Sequence, residues 1–177
     1  MRDQIAIVGG GPAGSRAAYA LALRGVPVTI FDASHPREKP CGGGVTGRAL
    51  ALVADAIDPA SFPNTVIRSA RFTQTPARGV GVRGRSWGPE SSVGVELAGD
   101  ALVVASRTSF DAAMLAAAER AGARLVRSRV TDLSVDPAGV ILTTADGGSH
   151  AASYLVGADG ANSLVRRRVA KIGRAHV

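Results

Sequence analysis

Three glycines and one acid mark where chemistry would sit in this chain. Gly9, Gly11 and Gly14 fall in the run Ile5-Ala6-Ile7-Val8-Gly9-Gly10-Gly11-Pro12-Ala13-Gly14, and Asp32 stands 18 positions after Gly14. A Gly-x-Gly-x-x-Gly turn that leaves a strand and opens a helix suits the diphosphate of a dinucleotide. Gly9 permits a tight turn, Gly11 lets backbone approach a pyrophosphate, and Gly14 lets the helix lie close to the strand. Asp32 can accept hydrogen bonds from both hydroxyls of an adenosine ribose. It would repel a 2′-phosphate, so FAD or NAD is favoured over NADP. The motif alone does not separate FAD from NAD.

The elements that must hold these groups are legible around them. Ile5 to Val8 is a short β-branched run of the kind that forms a buried parallel strand. Pro12 fits a first helical turn, where an N–H would lack a helical partner. The spacing predicts a helix from Pro12 to Arg24, with Ala13, Ala17, Ala18, Ala20 and Leu21 forming a small-residue face and Gly25 ending it. Its N-terminus offers free N–H groups and partial positive charge to phosphates. Val28 to Phe31 is the next strand, and Asp32 closes it.

Further along, His35 to Gly44 reads as a loop and Val45 to Ala56 as a short helix. Val66 to Gln74, Ser92 to Leu97 and Leu102 to Ala105 read as strands, with a glycine-rich hairpin or loop over Arg78 to Glu90. Ser109 to Ala121 is the clearest later helix, with Ser109 as its cap, Asp111 in the first turn, and Phe110, Met114, Leu115 and Ala118 at helical spacing. Arg124 to Val126, Val130 to Val135, Val140 to Thr144 and Ser149 to Ala152 suggest a small antiparallel meander. Tyr154 to Val156 is a strand, and Ser163 to Val169 starts a helix.

Composition narrows the function classes. The chain has 177 residues, 46% of them hydrophobic, enough for a core. No apolar run reaches transmembrane length, and the first residues lack the features of a signal peptide. One cysteine, Cys41, excludes an internal disulfide and fits a reducing, cytoplasmic setting. A zinc cluster is not expected, since His35, His150 and His176 are the only other soft ligands. The net charge of +7 is carried almost wholly by scattered arginines and aromatics are 4%, which argues against nucleic-acid binding. A basic balance is compatible with peripheral contact to anionic lipid.

Three more segments join the N-terminal motif: Lys39-Pro40-Cys41-Gly42-Gly43-Gly44, Arg107-Thr108-Ser109-Phe110-Asp111, and Gly157-Ala158-Asp159-Gly160-Ala161-Asn162-Ser163-Leu164-Val165-Arg166. In this order they resemble the geranylgeranyl reductase family of FAD-dependent oxidoreductases, within the flavoprotein group that includes the aromatic hydroxylases. The resemblance runs to about Val169. It implies an α/β fold: a Rossmann-like FAD-binding βαβ domain with an inserted antiparallel meander. Core parts would span 1–57 and 107–169, with part of a substrate-domain insertion at about 62–106.

The resemblance also implies roles. Cys41, Gly42 and Gly43 would lie beside the isoalloxazine ring, where a thiol could tune access, position substrate or supply a proton. Arg107 would approach the FAD phosphates, and Asp159 would reach the cofactor. Gly9, Gly11, Pro12, Ala13, Gly14 and Asp32 complete the expected FAD contacts. NAD(P)H or another donor would reduce the flavin, and an apolar prenyl-lipid substrate would have a double bond saturated. A FAD-dependent monooxygenase or halogenase is the competing reading, followed by a non-catalytic nucleotide-binding module and a plain NAD dehydrogenase.

The family's later Gly-Asp flavin segment and most of its substrate domain have no counterpart here, so the chain reads as an N-terminal portion that binds FAD weakly and does not turn over. Ile172-Gly173-Arg174-Ala175-His176-Val177 is what the adapter string ATCGGAAGAGCACACGTC encodes in frame. Residues 170–177 are therefore expected to be a non-native tail.

Overall fold

A computed structural model describes residues 4–74, 91–99 and 101–169. The expectations for residues 78–90 and for the 170–177 tail therefore fall wholly or largely outside the described residues.

The central sheet is built from β1 (Ile5–Val8), β2 (Val28–Phe31), β8 (Arg124–Val126) and β12 (Tyr154–Gly157), all parallel, in the order β12-β1-β2-β8. The short apolar runs of β1 and β2 fit this central position, because both faces of each strand are covered. Ile7, Val28 and Ile30 face α1 (Pro12–Ala22) and α3 (Arg107–Arg120), packing with Ala18, Leu115 and Ala118. Ala6, Val8 and Phe31 point the other way, onto Val130, Leu133, Val140 and Leu142. Those residues belong to an antiparallel three-stranded meander of β9 (Val130–Asp136), β10 (Gly139–Thr144) and β11 (Ser149–Ala152). The result is three layers: helices, parallel sheet, meander.

A second core lies on another side of α3. Phe110, Met114 and Ala117 pack there with Leu50, Val53, Ile57, Phe62, Val103 and Ala105. These come from α2 (Gly47–Ala51), the turns after it, and the sheet of β3 (Gly44–Thr46), β7 (Leu102–Ala105) and β4 (Asn64–Val66), in the order β3-β7-β4. β5 (Ser69–Gln74) and β6 (Ser91–Glu96) form a separate antiparallel pair. The six-residue α4 (Leu164–Val169) follows β12 and seats Val165 against the meander side.

Several elements differ from the sequence expectation for identifiable reasons. The Arg124–Val126 strand joins the parallel sheet beside β2 rather than the meander. The expected strand Val66–Gln74 is split at Ile67 and Arg68, so its two parts serve different sheets. The helix expected over Val45–Ala56 is confined to Gly47–Ala51, because Gly44–Thr46 pairs with β7. The long helix begins two residues earlier than expected: Ser106, not Ser109, is its cap, and its Oγ accepts from the Ser109 N–H at 3.0 Å. Asp111 is therefore past the first turn and fully buried.

The close approach of α1 to β1 depends on Gly14. A Cβ there would lie 1.9 Å from the Gly9 carbonyl oxygen and 3.3 Å from the Ala158 Cβ. Gly14→Ala should cost about 3 kcal/mol of stability by overpacking, read as a lower urea midpoint. An unchanged midpoint would show that α1 can move away freely.

Candidate functional site

The strand order reverses direction between β1 and β12, and their C-terminal ends open on a crevice of about 880 Å³. In open α/β sheets ligands bind at such a point. Gly9, Gly11, Pro12 and Ala13 line it from the first turn, Asp32 and His35 from the end of β2, and Asp159 and Gly160 from the end of β12. The sequence therefore separates by over a hundred residues groups that the parallel sheet brings together.

The first turn is tightly made. Gly9 adopts φ +107°, and a Cβ on it would lie 2.4 Å from the Ala158 carbonyl oxygen. Gly11 is the N-cap of α1 and supplies no side-chain cap; Pro12 follows at the first helical position. The leading N–H groups of an eleven-residue helix are thus left for an anion. The Cβ that Gly11 lacks would point at the His35 ring, 3.4 Å from Nε2.

Asp32 is buried and heavily engaged. Its Oδ2 accepts from the Gly10 N–H at 2.7 Å and from His35 Nδ1 at 2.8 Å; its Oδ1 accepts from the Ser34 N–H at 2.6 Å, the His35 N–H at 2.7 Å and the Ser34 hydroxyl at 3.1 Å. Burial pushes the Asp32 pKa up, but the N–H groups of Gly10, Ser34 and His35, with the His35 ring, outweigh it and hold the carboxyl well below the usual range. The sequence expectation left this carboxylate open to a ribose; the fold fills it with protein donors.

Asp159 shows the opposite pattern. Its Oδ2 accepts from the Leu164 N–H at 2.6 Å and the Val165 N–H at 3.3 Å, but its Oδ1 is buried with no hydrogen-bond partner among the described residues. An orphaned carboxylate oxygen at the crevice is what a hydroxyl-bearing ligand would satisfy. Together with the uncapped helix end, it fits a dinucleotide with ribose or ribitol hydroxyls. Arg37, Lys39, Arg129 and Arg167 add positive charge to the same lining.

Cys41 and Arg107 form a second group, outside the crevice lining. Arg107 holds Asp111 with two contacts of 3.0 Å, through Nε and Nη2, and its Nη1 lies 3.8 Å from Cys41 Sγ. The hydrogen bond to Asp111 raises the Arg107 pKa. The Gly43 N–H, and then Arg107, draw the exposed Cys41 thiol below its ordinary pKa. Glu38 fastens this loop to the start of α3: its carboxylate accepts from the Arg107 and Thr108 N–H groups at 3.1 and 3.3 Å and from the Thr108 hydroxyl at 3.1 Å. Gly43 accepts from the Ala105 N–H at 3.0 Å, while Gly42 faces open space.

Sequence reasoning missed His35, Asp111 and Glu38 as parts of the site. The one available signal was the Arg107–Asp111 spacing of four on a helix, which puts the two side chains on one face. Nothing in the spacing of His35 announces that its Nε2 lies 3.5 Å from the carboxylate of Asp111, 76 positions away.

The crevice lies on an α/β fold with a Rossmann-like βαβ unit at its centre. The chain belongs to the FAD binding domain family, which it matches over residues 2–174. It is similar to a menaquinone reductase of Mycolicibacterium smegmatis, 32% identical over 174 residues, with 94% of this chain and 39% of that protein covered. A geranylgeranyl diphosphate reductase of Rhodobacter capsulatus is 28% identical over 174 residues, with 96% and 40% covered. The solved Diels-Alderase PyrE3 of pyrroindomycin biosynthesis superposes with a TM-score of 0.71 at 27% identity, covering 94% of this chain and 34% of that one. The chain thus spans about two fifths of the curated relatives it matches. Among the described residues no helix is long and apolar enough to cross a membrane.

Asp32 also makes an acid-stability prediction. Its pKa is lower in the folded chain than in the unfolded one, so its contribution is complete above about pH 5 and is lost as the pH falls towards 2. The urea midpoint of the native chain should fall more over that window than that of Asp32→Asn. Parallel acid limbs would show that Asp32 is not the carboxylate responsible.

Proposed function

We propose that this chain is the FAD-binding portion of an oxidoreductase that reduces carbon–carbon double bonds in prenyl chains. The observation that carries the cofactor assignment is the pairing of an uncapped α1 N-terminus with the partnerless Asp159 Oδ1 across one crevice. Gly9, Gly11, Pro12, Ala13 and Gly14 would receive the diphosphate, Asp32 would accept from the adenosine side, and Asp159 would hold a hydroxyl. FAD, once bound and reduced by NAD(P)H or another donor, supplies the hydride for such a reduction.

The substrate assignment rests on the Pro40–Gly44 loop and on two relatives named as reductases of isoprenoid molecules. The Glu38 contacts hold that loop at the start of α3, with Gly42 open and Cys41 exposed. Backbone without side chains suits a flat ring and a substrate close by. Cys41 would be the group on this loop to position substrate or donate a proton, with Arg107 beside it. Most of an apolar tunnel for a long prenyl chain would come from the remaining length represented in the relatives. A FAD-dependent monooxygenase or halogenase would use the same crevice, so the reaction itself must separate the two.

The decisive experiment uses the full-length parent protein with reduced nicotinamide and a geranylgeranyl lipid, without oxygen. Loss of one or more double bonds, followed by mass spectrometry, is expected. Oxygen-coupled hydroxylation or halogenation with no anaerobic saturation would overturn the substrate reading. The 177-residue chain alone should quench FAD fluorescence weakly and show no turnover.

A further inference from the structure

His35 connects the two groups of residues just described. Its ring is buried, 8% exposed, between two buried carboxylates on different elements. An ionised carboxylate only accepts, so Nδ1 donates to Asp32 Oδ2 at 2.8 Å. Nε2 is buried without a hydrogen-bond partner among the described residues; it lies 3.5 Å from Asp111 Oδ2, outside hydrogen-bond geometry, and faces Gly11. Asp111 is fully buried and holds Arg107, which reaches Cys41. A line of polar groups thus runs from the Gly10 N–H through Asp32 and His35, across the 3.5 Å gap to Asp111, and on through Arg107 to Cys41. Arg127 also touches this histidine, through the His35 carbonyl at 3.4 Å.

The loading of Asp32 decides what a ligand can do. A carboxylate offers about four lone-pair sites, and five protein donors already use them. A ribose hydroxyl can engage Asp32 only by displacing a donor. Three of the five are backbone N–H groups fixed by the turns, so the displaceable ones are the Ser34 hydroxyl and the His35 ring. Only the ring has a second acceptor nearby: Asp111 Oδ2, the oxygen that Arg107 Nη2 also uses.

We propose that His35 is a positioning residue that links occupancy of the nucleotide crevice to the Arg107–Cys41 pair. A ribose that takes Asp32 releases the imidazole towards Asp111. The Nδ1 proton passes to solvent in the crevice as Nε2 takes one from it, so the other tautomer of the ring donates from Nε2 to Asp111 Oδ2 in competition with Arg107, and the freed guanidinium N–H turns to the Cys41 sulfur. One N–H is exchanged for the other through solvent with no net gain or loss of a proton; beyond that tautomer shift the link is an exchange of hydrogen-bond partners. It rests on the crevice being a nucleotide site, as proposed above.

Cys41 is the chain's only cysteine, so its alkylation reports on one place. The probe is ADP, which can fill the adenosine and diphosphate positions but carries no isoalloxazine to cover the thiol. Saturating ADP should raise the iodoacetamide rate of the native chain about fivefold at pH 7. His35→Asn keeps a donor for Asp32 but is too short to reach Asp111, and His35→Phe loses both contacts. In each, ADP should still bind by calorimetry while the rate stays unchanged. The same ADP effect surviving in both variants would mean that the phosphates act on the loop directly, and would overturn the link. So would ADP binding to the native chain with an unchanged or slower rate, a measurement that needs no variant to fold. Absence of ADP binding to the native chain would instead remove the nucleotide reading, and the link with it.

Discussion

The buried Asp32 carboxylate is the interaction on which the site depends. It is an anion at the end of a parallel strand, with little solvent to stabilise it. Such a group is tolerated only when donors surround it. The donors come from two loops: Gly10 from the turn after β1, and Ser34 and His35 from the turn after β2. The charge therefore fastens the glycine turn to the neighbouring strand, and through the His35 ring it sets what faces Gly11. Gly9 and Gly14 complete the same turn from the other side, where a Cβ on either would run into Ala158, just past the β12 end. The crevice is thus bounded by close backbone contacts on one flank and by a saturated carboxylate on the other.

The two aspartates of the crevice divide the work according to their surroundings. Asp32 is satisfied by protein donors, so a ligand hydroxyl reaches it only by displacing one of them. Asp159 spends one oxygen on the N-terminal N–H groups of α4 and keeps the other free. A sequence motif treats both simply as acids near a cofactor. The structure separates them by the number of donors each has gathered, and the unsatisfied one is better placed to read a ligand hydroxyl.

The local elements of this fold were legible because their signals are short-range. β1, α1 and β2 follow from a β-branched run, a proline and terminating glycines, and their bounds agree with expectation to within two residues. The meander strands follow from alternation and from Asp-Gly and Pro-Ala-Gly turns. What was not legible is partnership. The residues Arg124–Val126 carry nothing that distinguishes a meander strand from a parallel edge strand; β2 decides it by offering an unpaired edge. Ser106 and Ser109 are equally good caps by type, and the earlier one prevails because Glu38, from a distant loop, also caps the Arg107 and Thr108 N–H groups.

The same limit explains why Asp111 was misread. An acid near a helix start suggests a favourable interaction with the helix dipole. Here the helix starts earlier, and the residue turns inward on the face that meets the Cys41 loop. A buried carboxylate there would be costly alone. The Arg107 guanidinium, two hydrogen bonds deep, makes it tolerable and is itself fixed by it, because a planar fork on a carboxylate loses most of its freedom. Fixing Arg107 in this way directs its remaining N–H towards the exposed thiol. The surroundings of Cys41 are therefore set by its own loop, through the Gly43 N–H, and also by a carboxylate one helical turn inside the core, through Arg107.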